Sequence, residues 1–354
     1  MSRAARTALA ATLLFALSGV LSGALIDEYG GAAGALEWAL RTLVVISAAV
    51  ALATAFVLVL RLRHRVTPRF LRWPLTVAAA AAFAFFVVQP TVFAVYLTHL
   101  PTRRAVHDTD LGAHKEPVTL TTANGLHLRG WYVPSRNGAA VAVLHGTGSN
   151  RLGVADHARL FARHGYGVLI FDLSGHGESD GRSTSLAARF QPDADAALAF
   201  LRQRPDVRAD RIGIVGISLG GEVALHAAAR QPAWRATVLE GVQGGSPADM
   251  RASEPDPASF ATFTVLYGLG RVLGGGWAPA SNPEQIQRID RRPLLLLSAG
   301  RGSEARANAE YDRLGGSSTE LWNLPEAAHA AALRTDPAGY ERRVVPFLDR
   351  ALAA

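Results

Sequence analysis

The chain of 354 residues contains no cysteine. That excludes disulfide staples and any metal site built on thiolates, and it leaves the redox compartment unreadable. No metal-ligand cluster, dinucleotide fingerprint, internal repeat or low-complexity tail is visible in the sequence either, so the chemistry is expected to need no cofactor and no metal. Acidic residues are scarce at one end: up to Arg104 there are ten arginines and three acids, a net of +7, whereas from Ala105 onward 26 basic residues meet 26 acidic ones. The excess positive charge therefore flanks the N-terminal segments and does not form a basic face on the remaining chain, which excludes nucleic acid as the expected partner despite a pI near 10.3.

What the N-terminal part does contain is apolar sequence. Three stretches, residues 7–26, 43–60 and 75–97, each approach the ~20 residues needed to cross a bilayer as a helix, so residues 1–104 are expected to form a transmembrane region with membrane lipids as partners. Arg3 and Arg6 precede the first stretch, Asp27 to Glu37 make an acidic first loop, and Arg61, Arg63, Arg65, Arg69 and Arg72 crowd the second. The bias toward cytoplasmic arginine predicts a multi-pass cell-membrane protein whose later part lies on the outer face; Arg103 and Arg104 oppose this slightly. A second reading of the first stretch is a signal peptide cleaved near Ala24.

Residues 105–117 read as a linker, within a polar stretch that contains Pro101 and Pro117, and residues 118–354 are long enough for one α/β domain with its own core. Alternating apolar runs and helical patterns there predict a mostly parallel sheet covered on both faces. Between Glu240 and Pro293 an insertion, about residues 244–292, holds Ser246-Pro247, Pro255-Asp256-Pro257, the apolar run 260–269 and Gly274-Gly275-Gly276. It is expected either to pack on the core or to form an apolar lid.

Gly216-Ile217-Ser218-Leu219-Gly220 lies between the apolar run 211–215 and a helix-forming segment that starts at Glu222. This is a serine on a sharp strand-to-helix turn, a nucleophile elbow. A serine hydroxyl is a weak nucleophile at neutral pH, so it needs a histidine to take its proton and a carboxylate to orient that histidine. The run 293–298 reads as a buried strand, and Glu304 is the first carboxylate after it. The next run, 320–324, leads to His329 in the loop before the last helix. Glu304 and His329 are thus the expected loop-borne partners of Ser218, with Glu240, one strand earlier, as the alternative acid. The strand 140–144 is followed by His145-Gly146-Thr147-Gly148-Ser149-Asn150, a glycine-rich turn, and the amides of Thr147 and Leu219 are the expected oxyanion donors. His145 is expected to be structural.

With these motifs in place, residues from about Val118 to Leu352 resemble the α/β-hydrolase family. Tyr166 to Gly181, with Asp172 and Gly175-His176-Gly177-Glu178-Ser179, looks like the family's fourth strand and following loop, where Asp172 shapes the backbone. Gly125 to Pro134 looks like the N-terminal hairpin of bacterial membrane-anchored members and of the mammalian ABHD-type hydrolases. Many members carry Gly-x-x-Asp at the acid position, and here the carboxylate is Glu304, one residue later and one methylene longer. The resemblance implies the α/β-hydrolase fold and a serine hydrolase that cleaves carboxylic esters or thioesters of small molecules or lipids through a Ser-His-Glu triad. The alternatives are a peptidase or amidase on the same triad, or a non-catalytic membrane protein that keeps the fold.

Overall fold

The structure is a computed structural model, and it describes residues 57, 68–92, 94, 105–181, 187–244, 246–253, 256–274 and 281–353. The first two apolar stretches, apart from Val57, lie outside the described residues, as does the junction at residues 95–104.

Among the described residues the chain divides into two compact units: Met1–Leu97 with Ala261–Gly275, and Thr98–Phe260 with Gly276–Ala354. In the first unit, helix α1 (Arg69–Phe83) continues into a π-helical turn, Ala84–Val88. Trp73–Val92 is 20 residues long and has a mean hydropathy of 1.8 over an 18-residue window, and among the described residues it is the one stretch long and apolar enough to cross a membrane. It begins two residues earlier than the third apolar stretch read from the sequence. Phe70, Trp73 and Val77 stand exposed on α1. Leu266, Phe263 and Leu269, from the insertion, pack together with Ala94 in the same unit.

The second unit is built on an eight-stranded sheet. Its strands are β1 (Glu116–Thr121), β2 (His127–Val133), β3 (Ala140–Leu144), β4 (Gly167–Phe171), β5 (Ile212–Ile217), β6 (Ala236–Glu240), β7 (Leu294–Ala299) and β8 (Thr319–Leu324). They lie in the order β1-β2-β4-β3-β5-β6-β7-β8. The first two form an antiparallel hairpin that joins β4, and every pair from β4 to β8 is parallel.

The apolar runs seen in the sequence are the central strands, and alternation explains why they are apolar throughout. Ala140, Ala142 and Leu144 of β3, Leu169 and Phe171 of β4, and Leu294 and Leu296 of β7 join one core. Val141 and Val143, Val168 and Ile170, and Leu295 and Leu297, their immediate neighbours in sequence, join the core on the opposite face. Successive side chains point to opposite faces, so a strand covered on both sides must be apolar at every position. Each such side chain contributes roughly 1.5–3 kcal/mol when buried, and loss of these contacts opposes any shift of register.

Helices α3 (Gln191–Arg202), α4 (Leu219–Arg230), α7 (Asn282–Ile289) and α8 (Gly302–Gly315) cover the first face. Helices α2 (Ala155–Arg163) and α10 (Pro337–Leu352) cover the second. The described part of the insertion comprises α5 (Pro247–Ser253), α6 (Pro257–Gly274) and α7. Its two ends are tied together: the Asp249 carboxylate accepts the backbone N–H of Ser246 at 2.8 Å and that of Asn282 at 2.7 Å.

Candidate active site

At the end of β5 the chain must leave the sheet and enter α4 within one residue. Ser218 makes this turn with φ 55° and ψ −117°, a conformation that L-residues avoid and that costs on the order of 1–3 kcal/mol. The residues two positions to either side are glycines because nothing larger fits. A Cβ on Gly216 would lie 2.1 Å from the carbonyl oxygen of Gly220, and one on Gly220 would lie 2.4 Å from that of Leu144. The Ser218 N–H donates to the Glu240 carbonyl at 2.7 Å, which pins the turn to the end of β6. The serine side chain is thereby held at the carboxyl end of a parallel sheet, where α/β folds collect their ligands.

His329 comes from the segment between β8 and the short helix α9 (Ala332–Thr335). The next residue, Ala330, also has a positive φ of 54°, so the chain reverses sharply just past the histidine. His329 Nε2 lies 2.9 Å from Ser218 Oγ. On the other side of the ring, Nδ1 lies 2.7 Å from Glu304 Oε2. A carboxylate accepts, so Nδ1 carries the proton and Nε2 is left to accept from the serine hydroxyl.

Glu304 sits in the first turn of α8, a correction to the sequence reading, which placed it on a loop. There the positive end of the helix favours its negative charge. Its Oε1 accepts the Ala299 N–H at 2.6 Å and its Oε2 also accepts from Gln243 Nε2 at 3.2 Å, so the carboxylate is held by three groups. Its side chain is only 3% exposed, against 47% for His329, so the acid is sequestered while the imidazole faces solvent. The His329 pKa is raised above the usual histidine value, first by the hydrogen bond to Glu304, with the charges of Glu304, Glu240 and Glu222 adding to it.

Glu240 makes no hydrogen bond to the His329 ring among the described residues; its carboxylate instead accepts the Ala332 N–H at 2.8 Å. Thr147 lies in the turn after β3, and the residue before it approaches Ser218: a Cβ on Gly146 would be 3.2 Å from Ser218 Cβ. Leu219 is the first residue of α4, where the N–H has no acceptor within the helix. His145 is buried beneath this turn, with Nε2 accepting the Leu173 N–H at 3.0 Å, and burial holds its pKa down to about 3. It stays neutral and structural at ordinary pH. Asp172 accepts from the Arg151 N–H and guanidinium and from the Glu178 N–H, which ties the loop after β4 to the turn after β3.

Sequence reasoning missed Gln243 and the polar chain behind it. Tyr311 Oη donates to the Gln243 carbonyl at 3.1 Å, and Asn282 Nδ2 donates to Tyr311 Oη at 3.4 Å. A glutamine beside two glycines carries no catalytic signature; only the return of the chain at Gly244, with φ 114°, brings it to Glu304. Glu222, in the first turn of α4, was likewise read only as a helix former. Burial and the charge of Asp249 push its pKa up to about 7.

Comparison with known proteins agrees with this fold. Residues 135–301 match the family described as serine aminopeptidase, S33. The uncharacterized protein YfhR of Salmonella typhi is 31% identical over 191 residues, covering 52% of this chain and 63% of that protein. The chain thus spans about three-fifths of the length of the curated relatives it matches first. The thiohydrolase aneE of Aspergillus aculeatus is 35% identical over 115 residues, or 31% of this chain and 36% of that protein. Among solved structures, the Pyrococcus furiosus esterase Pf2001 superposes with a TM-score of 0.60 at 24% identity, covering 72% of this chain and 98% of that one. The mostly parallel sheet, the elbow after β5 and these likenesses together show the α/β-hydrolase fold, with residues 135–301 matching a family of that fold.

Proposed function

We propose that this chain is a membrane-anchored serine hydrolase that cleaves carboxylic esters or thioesters through an acyl-enzyme on Ser218. One observation carries the reading: Ser218 Oγ, His329 and Glu304 stand in an unbroken relay of 2.9 and 2.7 Å. In the reaction, His329 Nε2 takes the Ser218 proton as Oγ attacks the acyl carbon. The Thr147 and Leu219 amides hold the resulting oxyanion, and His329 returns the proton to the departing alcohol or thiol. Water, activated by the same imidazole, then releases the acid. Glu304 keeps the imidazole in the productive tautomer and offsets its charge when it is protonated. The likeness to a thiohydrolase supports including thioesters among the substrates.

The test is covalent labelling. The intact protein is expected to react with a fluorophosphonate probe at Ser218 and nowhere else, and Ser218→Ala to remain unlabelled. A wild-type protein that resists the probe would sink the enzymatic reading in favour of a non-catalytic relative. A peptidase reading is supported by the description of the matching family. Comparing p-nitrophenyl esters with aminoacyl p-nitroanilides separates the two, and faster turnover of the anilides would make the protein an amidase.

Membrane anchoring rests on the apolar helix Trp73–Val92 and on the arginine pattern of residues 1–104. Translocating the five arginines of the second loop is strongly disfavoured, so the third stretch is expected to carry the catalytic unit outward, where it meets small-molecule or lipid esters. Alkaline phosphatase fused after Ala354 should be active and a green fluorescent reporter at the same point dark. Bright fluorescence without phosphatase activity would place the catalytic unit in the cytoplasm.

A further inference from the structure

Buried carboxylates are costly and persist where something holds them or needs them. Glu240, the last residue of β6, is 2% exposed, and its side chain makes a single hydrogen bond among the described residues, with Oε1 accepting the Ala332 N–H at 2.8 Å. The other oxygen, Oε2, has no hydrogen-bond partner; it faces the buried His157 of α2, whose Nε2 lies 3.5 Å away. The His157 ring in turn stands edge-on to Tyr340 of α10 at 5.4 Å, and the buried Tyr340 hydroxyl has no hydrogen-bond partner among the described residues. Packing from α2 and α10 thus confines the carboxylate, while its one hydrogen bond goes to the chain three residues beyond His329.

The main chain of the same residue holds the nucleophile, since its carbonyl accepts the Ser218 N–H at 2.7 Å. The following residue backs the base: a Cβ on Gly241 would lie 3.0 Å from His329 Cε1. One dipeptide therefore touches both reacting partners. The two contacts act on the two backbone positions with positive φ, Ser218 and Ala330, that aim the side chains at each other.

We propose, on the reading that Ser218 and His329 are nucleophile and base, that Glu240 is a positioning residue: its carbonyl fixes the serine turn, its carboxylate latches the histidine segment, and together they set the Oγ to Nε2 distance. Its charge also contributes to raising the His329 pKa. The other ionisable groups around this pair are Glu304 of α8 and Glu222 of α4 toward His329, Asp249 of α5 toward Glu222, and His157 and Tyr340 toward Glu240.

Two variants of the full chain separate latch from charge. Glu240→Leu removes the acceptor; its fluorophosphonate labelling rate and kcat, per folded molecule, should fall about 10- to 100-fold with KM within about twofold, because an ångström of misplacement costs about that much. Glu240→Gln keeps an acceptor oxygen and should recover rates to within about threefold of wild type. It loses one of the lesser charges that raise the His329 pKa, after that of Glu304, so the acid limb of kcat/KM should move to lower pH. Wild-type rates in Glu240→Leu, or a Glu240→Gln as slow as Glu240→Leu, would overturn the proposal. Should Glu240→Leu not fold, Glu240→Ala, which also removes the acceptor, takes its place, and wild-type rates there overturn the proposal. A wild-type protein that the probe does not label overturns the hydrolase reading itself, and this inference with it.

Discussion

Ser218→Ala is expected to lower kcat for an activated ester by at least about 10⁴-fold while the protein still folds. The loss is large because the acyl-enzyme needs the Oγ oxygen and no neighbouring group can replace it: the side chain facing His329 Nε2 at 2.9 Å is the serine itself. The fold should survive because the turn is held by its main chain. The Ser218 N–H to Glu240 carbonyl bond and the Gly221 N–H to Ser218 carbonyl bond, at 2.7 and 2.8 Å, are available to alanine as well. Circular dichroism and thermal unfolding should therefore match wild type. Ester hydrolysis at the native rate in this variant would place the active site elsewhere.

Glu304→Gln should cost about 10³- to 10⁴-fold in kcat with little change in KM. The amide has one accepting oxygen where the carboxylate has two, and that oxygen has competing claims: the Ala299 N–H at 2.6 Å and His329 Nδ1 at 2.7 Å. If the amide nitrogen turns toward His329, it donates to Nδ1 and forces the proton onto Nε2, the wrong tautomer for a base that must accept from serine. The pH profile should move as well. Glu304 is the leading cause that raises the His329 pKa, and the active base is the neutral imidazole, so removing the carboxylate should shift the acid limb of kcat/KM to lower pH. The control is Glu240→Gln, expected to keep most of its turnover. A larger kcat loss in Glu240→Gln than in Glu304→Gln would reverse the assignment of the acid.

Much of the fold was legible because its signals are local. The runs in β3, β5 and β7 are apolar at nearly every position since both sheet faces are covered, and a run without alternation reports that burial directly. The elbow was legible for the same reason: the constraint on Gly216 and Gly220 arises within the turn and from the strand beside it. His329 and Glu304 were found by chain order, each standing after a recognisable strand. The choice between Glu304 and Glu240 was not legible, because two carboxylates after neighbouring strands present the same pattern in one dimension.

The parallel α/β architecture, the sharp turn at Ser218, the order of Glu304 and His329 after it and the apolar character of the N-terminal stretches can be read from residue order, because each depends on residue type over a short span. Long-range packing decided which carboxylate faces His329. Glu304 reaches the ring because α8 begins within its first turn of the end of β7, whereas the Glu240 carboxylate is confined beside His157 and taken up by the Ala332 N–H. It also decided that Gln243 reaches Glu304 and that the insertion's ends meet on Asp249. These contacts join residues up to 92 positions apart, and their partners are chosen by the packing of β6, β7 and the helices around them, which no local pattern records.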